Sequence, residues 1–338
     1  MTSTIISQLD TFGPDRCKKL TYQQAVDYTR RLTEAHSENF SVISWCLPRR
    51  LRQDFRNIYA FCRWSDDLGD EAGDPVRSGR LLTWWRSEID ACYRGDPRHP
   101  VFVALGQTIR RHDIPRKPFD DLVDAFCQDQ LVVRYDRWSQ VLDYCTRSAN
   151  PVGRLVLYLC GYRDERRQVL SDATCTALQL ANFWQDVRRD ILERDRVYIP
   201  ADVAAKHGLD IPVLVEAVRF DGQADAAGAC CSPRRVPGVG VNALKDPFCA
   251  TVQDLVGRTW PLFKQGRALW PLVRRDVRLD IQLFTLGGES VLNRIRQLGY
   301  NTMASRPRLG KTAKLTLVLR ALAMNLTGWA GTSGKGAS

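Results

Sequence analysis

The chain contains no Cys-x-x-Cys pair, no uninterrupted apolar run near the ~18 residues of a membrane span, and no alternating segment around Asn-Gly or Asp-Gly that would close a hairpin. It also lacks a Gly-rich dinucleotide fingerprint. Its eleven cysteines are scattered and odd in number, which argues against a disulfide framework; the adjacent Cys230-Cys231 has no zinc-ligand spacing. They read as reduced thiols of a cytoplasmic protein. Met1 to Asp10 has neither the basic start nor the apolar core of a secretory signal. The expectation is a cytoplasmic chain, at most peripheral at the inner face of a membrane.

What is present is enough for a large core: 338 residues, 44% hydrophobic and 26% charged, with a net charge of +11. That charge favours an anionic partner, whether a diphosphate, an acidic membrane or nucleic acid. The basic residues show no aromatic-interleaved nucleic-acid motif, so no nucleic-acid partner is expected. From Tyr22 to Leu209 apolar residues recur at helical spacing, which predicts an all-α bundle. Thr21 can cap a helix to about Ser37, Pro48 can open the next, and Asp74-Pro75, Gly95-Asp96-Pro97, His112 to Pro115 and Gly161-Tyr162 read as breaks. Residues 1–305 are expected to form one domain, with Asp221 to Lys245, rich in Gly, Ala, Pro and Ser, as a mobile surface insertion. Residues 306–338 can be drawn as a basic amphipathic helix and tail, suited to loose docking on an acidic membrane.

Two acidic clusters stand out. Asp66, Asp67 and Asp70 share a broad helix face with Tyr59 and Arg63, and Asp186 and Asp190 continue a stripe begun by Gln179 and Asn182. Like charges at i,i+4 repel by a few tenths of a kcal/mol, so a cation is expected between them. Taken singly, each cluster could be a solvated, salt-bridged face. Two such faces turned toward each other would hold divalent cations, and hard oxygen donors suit Mg²⁺ carrying a phosphate-bearing substrate.

The motifs around these clusters resemble the trans head-to-head prenyl synthases, which include squalene, dehydrosqualene and phytoene synthases. The resemblance rests on His36 to Phe40, on Tyr59 to Arg63 leading into Asp66–Asp70, on Tyr144-Cys145 through Gly153, and on Gln179 through Asp190 followed by Arg196 to Pro200. Ser148 to Arg154, Asn182 to Asp186 and Leu283 to Gly288 look most like the bacterial branch that turns presqualene diphosphate into hydroxysqualene. Arg147 stands where the condensing enzymes usually carry a tyrosine, and Gln185 where they usually carry an arginine. Both departures point away from the first condensation.

The resemblance implies an isoprenoid-synthase-type helical bundle around a central cavity. It implies two or three magnesium ions on Asp66, Asp67, Asp70, Asn182, Asp186 and Asp190, with Arg63, Arg147 and Arg196 neutralising the diphosphate. Ser37, Asn39, Phe40, Tyr59, Gln179 and Asn182 would contact substrate. Phe40, Tyr59, Phe183 and Trp184 would line a dry pocket, and Asn39, Gln179 or Tyr198 would orient the water that captures the carbocation. The substrate would be presqualene diphosphate or, for a condensing enzyme, farnesyl diphosphate, and NADPH is not expected. Partner enzymes would make presqualene diphosphate and reduce hydroxysqualene.

Overall fold

The structure, a computed structural model, describes residues 5–35, 48–227 and 241–307, together with 310 and 321. Ser37, Asn39, Phe40, the Cys230-Cys231 pair and most of the basic C-terminal segment lie outside these residues. Among the described residues every regular element is a helix; the one extended contact is an isolated bridge between Phe12 and Cys17.

After a short turn at Leu9–Phe12 come α1 (Tyr22–Ala35), α2 (Arg52–Asp70), α3 (Pro75–Arg94), α4 (Pro100–His112), α5 (Lys117–Gln128), α6 (Trp138–Ser148) and α7 (Asn150–Leu159). Then follow α8 (Glu165–Arg194), α9 (Ala201–Lys206), α10 (Ile211–Ala227), α11 (Lys245–Gly266) and α12 (Arg275–Gln297). Local chemistry sets the boundaries. The Thr21 hydroxyl accepts from Gln24 N while the Gln24 amide answers at Thr21 N, a reciprocal cap at the start of α1. Asp74 caps α3 ahead of Pro75, and Gly95 ends it in the left-handed region.

The 30-residue α8, about 45 Å long at 1.5 Å per residue, is the axis on which α7, α11 and α12 pack. Gly153 of α7 permits the close approach: a Cβ there would lie 2.4 Å from Ser171 Oγ and 2.5 Å from Cys175 Sγ. Behind α2, Trp64 stacks on Trp85 with centroids 5.3 Å apart, and its indole N–H donates to the Tyr28 hydroxyl at 2.9 Å. Phe61, Phe102 and Phe119 complete that wall, each fully buried Phe contributing roughly 1.5–3 kcal/mol. The back of α2 is thus fixed, and its opposite face can hold charge.

One expectation is corrected. Residues 221–227 belong to α10, and Val241–Leu244 form a 3-10 turn leading into α11, so both ends of the expected insertion Asp221 to Lys245 are helical, and its middle lies outside the described residues. Alanine content favours helix there despite Gly222, and Asp221 is held by Arg188 at 2.7 Å. The described cysteines are all free thiols, with Cys92, Cys145 and Cys160 buried. No helix among the described residues is long and apolar enough to cross a membrane.

Candidate active site

The two carboxylate stripes meet. Asp66 and Asp70 of α2 and Gln179, Asn182, Asp186 and Asp190 of α8 line one cavity of about 300 Å³. What joins them is the end of α8. Asp195 closes the helix in the left-handed region at φ 53° and is itself held by Arg134 and Arg219. The turn returns Arg196, whose N–H donates to Asp190 O at 3.0 Å. Arg194 and Arg196 then each reach Asp70 at 2.8 Å, stapling the two stripes together.

The structure does not bring every expected residue into this cavity. Asp67, one helix step of about 100° from Asp66, turns inward, is 1% exposed, and pairs with Arg63 at 2.5 Å. Arg63 also faces Glu71 at 3.5 Å and Asp66 at 3.8 Å, so its charge flanks the carboxylate pair without lining the cavity. Arg147 bonds Asp143 at 2.6 Å and the Gln128 side-chain oxygen at 2.9 Å, again outside the lining. Tyr59 is half-buried two turns before Asp66 and is not a lining residue. Trp184 is fully buried and donates to Thr259 at 3.0 Å, which makes it core rather than pocket wall. Phe183 and Tyr198 do line the cavity and stack on each other, with centroids 3.8 Å apart and planes 8° from parallel.

Three groups escaped the sequence reading of the site. Asp129 follows α5, is 6% exposed, lines the cavity, and accepts a hydrogen bond from the Tyr144 hydroxyl at 2.7 Å. It is an isolated acid with no partner at helical spacing, so no pattern announced it. Arg194 is one of four arginines between positions 188 and 196, with no spacing that sets it apart. Arg306, from beyond α12, grips Asp186 with both ends of its guanidinium, at 2.5 and 2.8 Å.

The electrostatics ask for positive charge. Partial burial and the neighbouring Asp70 hold Asp66 above the usual carboxylate range, less firmly than its partners because its side chain is 44% exposed. Burial and Asp186 push Asp190 to about 7, and burial pushes Asp129 to about 7 despite the nearby Arg196. Among the described residues no three acidic, His or Cys side chains converge into a ready-made metal cage. Mg²⁺ does not need one, since it is usually held by one or two carboxylates plus substrate phosphates. An all-oxygen donor set with mutually repelling pairs fits that ion.

Beyond Gln179 the lining changes character. Leu178, next to Gln179, and Cys175, one turn along α8, border a separate apolar cavity of about 110 Å³ closed by Val156, Leu157, Ile281 and Phe284. A larger groove of about 510 Å³ near Val76 and Leu131 carries no convergent carboxylates.

Comparison with known proteins gives this geometry a family. A sequence model described as squalene/phytoene synthase matches residues 33–231. The chain is 30% identical over 293 residues to a phytoene synthase of Thermus thermophilus, covering 86% of this chain and 90% of that one. It is 32% identical over 247 residues to a hydroxysqualene synthase of Rhodopseudomonas palustris, covering 73% and 74%. Among solved structures, squalene synthase HpnC of Alicyclobacillus acidocaldarius superposes with a TM-score of 0.71 at 38% identity, covering 83% of this chain and 96% of that one. A dehydrosqualene synthase in complex with ligand, at 20% identity, shares the fold with a TM-score of 0.74 over 91% of this chain and 98% of that one. The fold is the all-α isoprenoid-synthase type, and the chain belongs to the squalene/phytoene synthase family.

Proposed function

We propose that the protein converts presqualene diphosphate and water into hydroxysqualene and diphosphate in a Mg²⁺-dependent reaction. The observation that carries this reading is the single cavity shared by Asp66, Asp70, Asn182, Asp186 and Asp190, with an apolar cavity beginning next to Gln179 along α8. The polar cavity lies at the low end of the ~300–1,000 Å³ typical of small-molecule sites, which suits a diphosphate head. Hydroxysqualene synthases among the relatives, and Arg147 and Gln185 in place of the residues usual in condensing enzymes, support the substrate assignment.

When bound, Mg²⁺ supplies positive charge against the departing diphosphate. The chain's own residues do the rest. The carboxylate pairs would hold that ion at one end of the cavity, and Arg194 and Arg196, paired with Asp70, add positive charge beside the leaving group. The Phe183–Tyr198 stack presents aromatic surface to the carbocation and keeps bulk water out. Burial beside Asp129 holds the Tyr198 phenol well above its usual range, so it stays a neutral donor able to orient one water with Gln179. Capture by water needs no hydride, so NADPH is not required.

The second reading, condensation of two prenyl diphosphates to squalene, dehydrosqualene or phytoene, is favoured by the likeness to phytoene synthase over most of both chains. Purified protein given presqualene diphosphate alone, or farnesyl diphosphate alone, separates the two. Hydroxysqualene from the first and no consumption of the second is expected; turnover of farnesyl diphosphate alone would replace the first reading with the second. Peripheral contact of residues 306–338 with an acidic membrane belongs to the same proposal. Equal liposome sedimentation of the full chain and one ending at Ser305 would remove it.

A further inference from the structure

The two carboxylate pairs are neutralised by different kinds of arginine. Those on Asp70 come from the end of α8 and its capping turn, whereas the one on Asp186 comes from a strap that returns after α12. The strap leaves α12 through Gly299 and Tyr300, both at positive φ, and is anchored by Thr302 and Met303, each 2% exposed. Past that anchor, two polar contacts tie it to α8. Arg306 grips Asp186 with two charge-assisted hydrogen bonds, and the Gln185 side-chain N–H donates to Pro307 O at 2.5 Å. Between these ties and the helix lies a cavity of about 250 Å³ bordered by Arg189, Leu192, Met303 and Ala304. The strap therefore bridges a space instead of packing down on the helix.

The bidentate grip engages both oxygens of Asp186, so a metal ligated by Asp186 would compete with the guanidinium for the same side of the carboxylate. A guanidinium and a Mg²⁺ ion cannot both sit in that position. We propose that Arg306 is an internal counter-ion of the metal-free enzyme, exchanged for Mg²⁺ when the second carboxylate pair is loaded, so that metal binding unlatches the exposed stretch Ala304 to Arg306 of the strap from α8. Arg306 acts here as a positioning residue, through Asp186. The inference rests on the metal reading of the carboxylate pairs given above. Asp70 has no such strap, because both of its arginines belong to the last turn of α8 and the turn that caps it.

The test uses the full chain, wild type and Arg306→Gln and Arg306→Lys, titrated with Mg²⁺ alone and with inorganic pyrophosphate. With Mg²⁺ alone, Arg306→Gln should bind about two- to fivefold more tightly than wild type, the range expected from removing one partly exposed ion pair, and Arg306→Lys should fall between them. Hydrogen exchange supplies the second readout. Amides of residues 304–306 should exchange faster in wild type once Mg²⁺ and pyrophosphate are added, and should be fast already in metal-free Arg306→Gln. Equal Mg²⁺ affinity in wild type and Arg306→Gln, with strap exchange indifferent to metal, overturns the exchange while leaving the metal reading intact. No Mg²⁺ binding by any of the proteins under either condition overturns both.

Discussion

The first carboxylate pair, on α2, and the second, on α8, share i,i+4 spacing but not surroundings. Asp70 is 10% exposed and crossed by two arginines from the opposing helix end, one of which, Arg196, is 9% exposed and also faces Asp129 at 3.8 Å. Asp186 is 15% exposed, and its arginine is 39% exposed on a stretch in which Ala304, Ser305 and Arg306 all face solvent. The same charge pattern therefore serves two purposes. On α2 it is part of what holds the bundle together at the cavity mouth; on α8 it is left in a state that a ligand can change.

The most forceful way to break this comparison is to neutralise one carboxylate of each pair. Asp66→Asn and Asp186→Asn keep volume and helix but remove the charge that would hold Mg²⁺ and diphosphate. Each should lower kcat by at least ~10²-fold, the scale of losing one group that stabilises transition-state charge, with the far-ultraviolet circular dichroism unchanged. Diphosphate release from presqualene diphosphate is the readout. Wild-type rates in either variant would place the chemistry elsewhere.

Removing the arginines asks whether one side is structural and the other not. Arg196→Gln leaves Asp70 and Asp129 buried without their shared cation, and breaking a buried pair costs roughly 3–5 kcal/mol. Arg306→Gln, at a more exposed pair, should cost no more than ~1 kcal/mol. Urea unfolding of the metal-free proteins measures both. Equal losses would erase the distinction between a fixed and a removable counter-ion.

How much of this could be read from the residues alone follows from the range over which each signal acts. The all-α bundle and the pairing of Asp66 with Asp70, and of Asp186 with Asp190, depend on spacing within one helix, which periodicity reports directly. Asp67 lies one turn after Arg63, so their pairing is open to the sequence, but only packing against α2's neighbours decides that Asp67 turns away from the cavity. Arg147 looked like a diphosphate ligand by position in a motif, yet Asp143 one turn earlier on the same helix already engages it. Asp129 has no acid or amide three or four residues away to mark it, and Arg306 meets Asp186 from a segment far along the chain. The irregular composition of Asp221 to Lys245 hid the last turns of α10 because alanine supports helix as readily as it fills loops.

Asp129 sharpens the picture of the fixed side through pH. Its carboxyl is raised to about 7 by burial, while in the unfolded chain it titrates near the ordinary ~3.9. The folded state therefore holds this proton more tightly. Its contribution to stability is fully present below about pH 4 and is lost as pH rises through about 7. Asn at this position has no such slope. The stability of wild type relative to Asp129→Asn, followed by urea unfolding without metal, should fall between about pH 4 and pH 7 and level off above. A difference that stays constant across that interval would mean Asp129 is ionised in the fold and paired more strongly with Arg196 than its 3.8 Å separation suggests.

The smallest effect is expected where the motif comparison had suggested a large one. Arg147→Tyr restores the residue usual in condensing enzymes, but the native guanidinium is engaged with Asp143 and Gln128 outside the cavity lining. The Asp143 side chain is 62% exposed, so losing this pair should change stability by no more than ~1 kcal/mol. Turnover of presqualene diphosphate should stay near wild type, in contrast to the collapse expected for Asp186→Asn. A strong rise in KM for presqualene diphosphate would show that Arg147 swings away from Asp143 to meet the diphosphate. A third arginine, from α6, would then join those on α8 and the strap, and the division between fixed and removable charge would have to be redrawn around it.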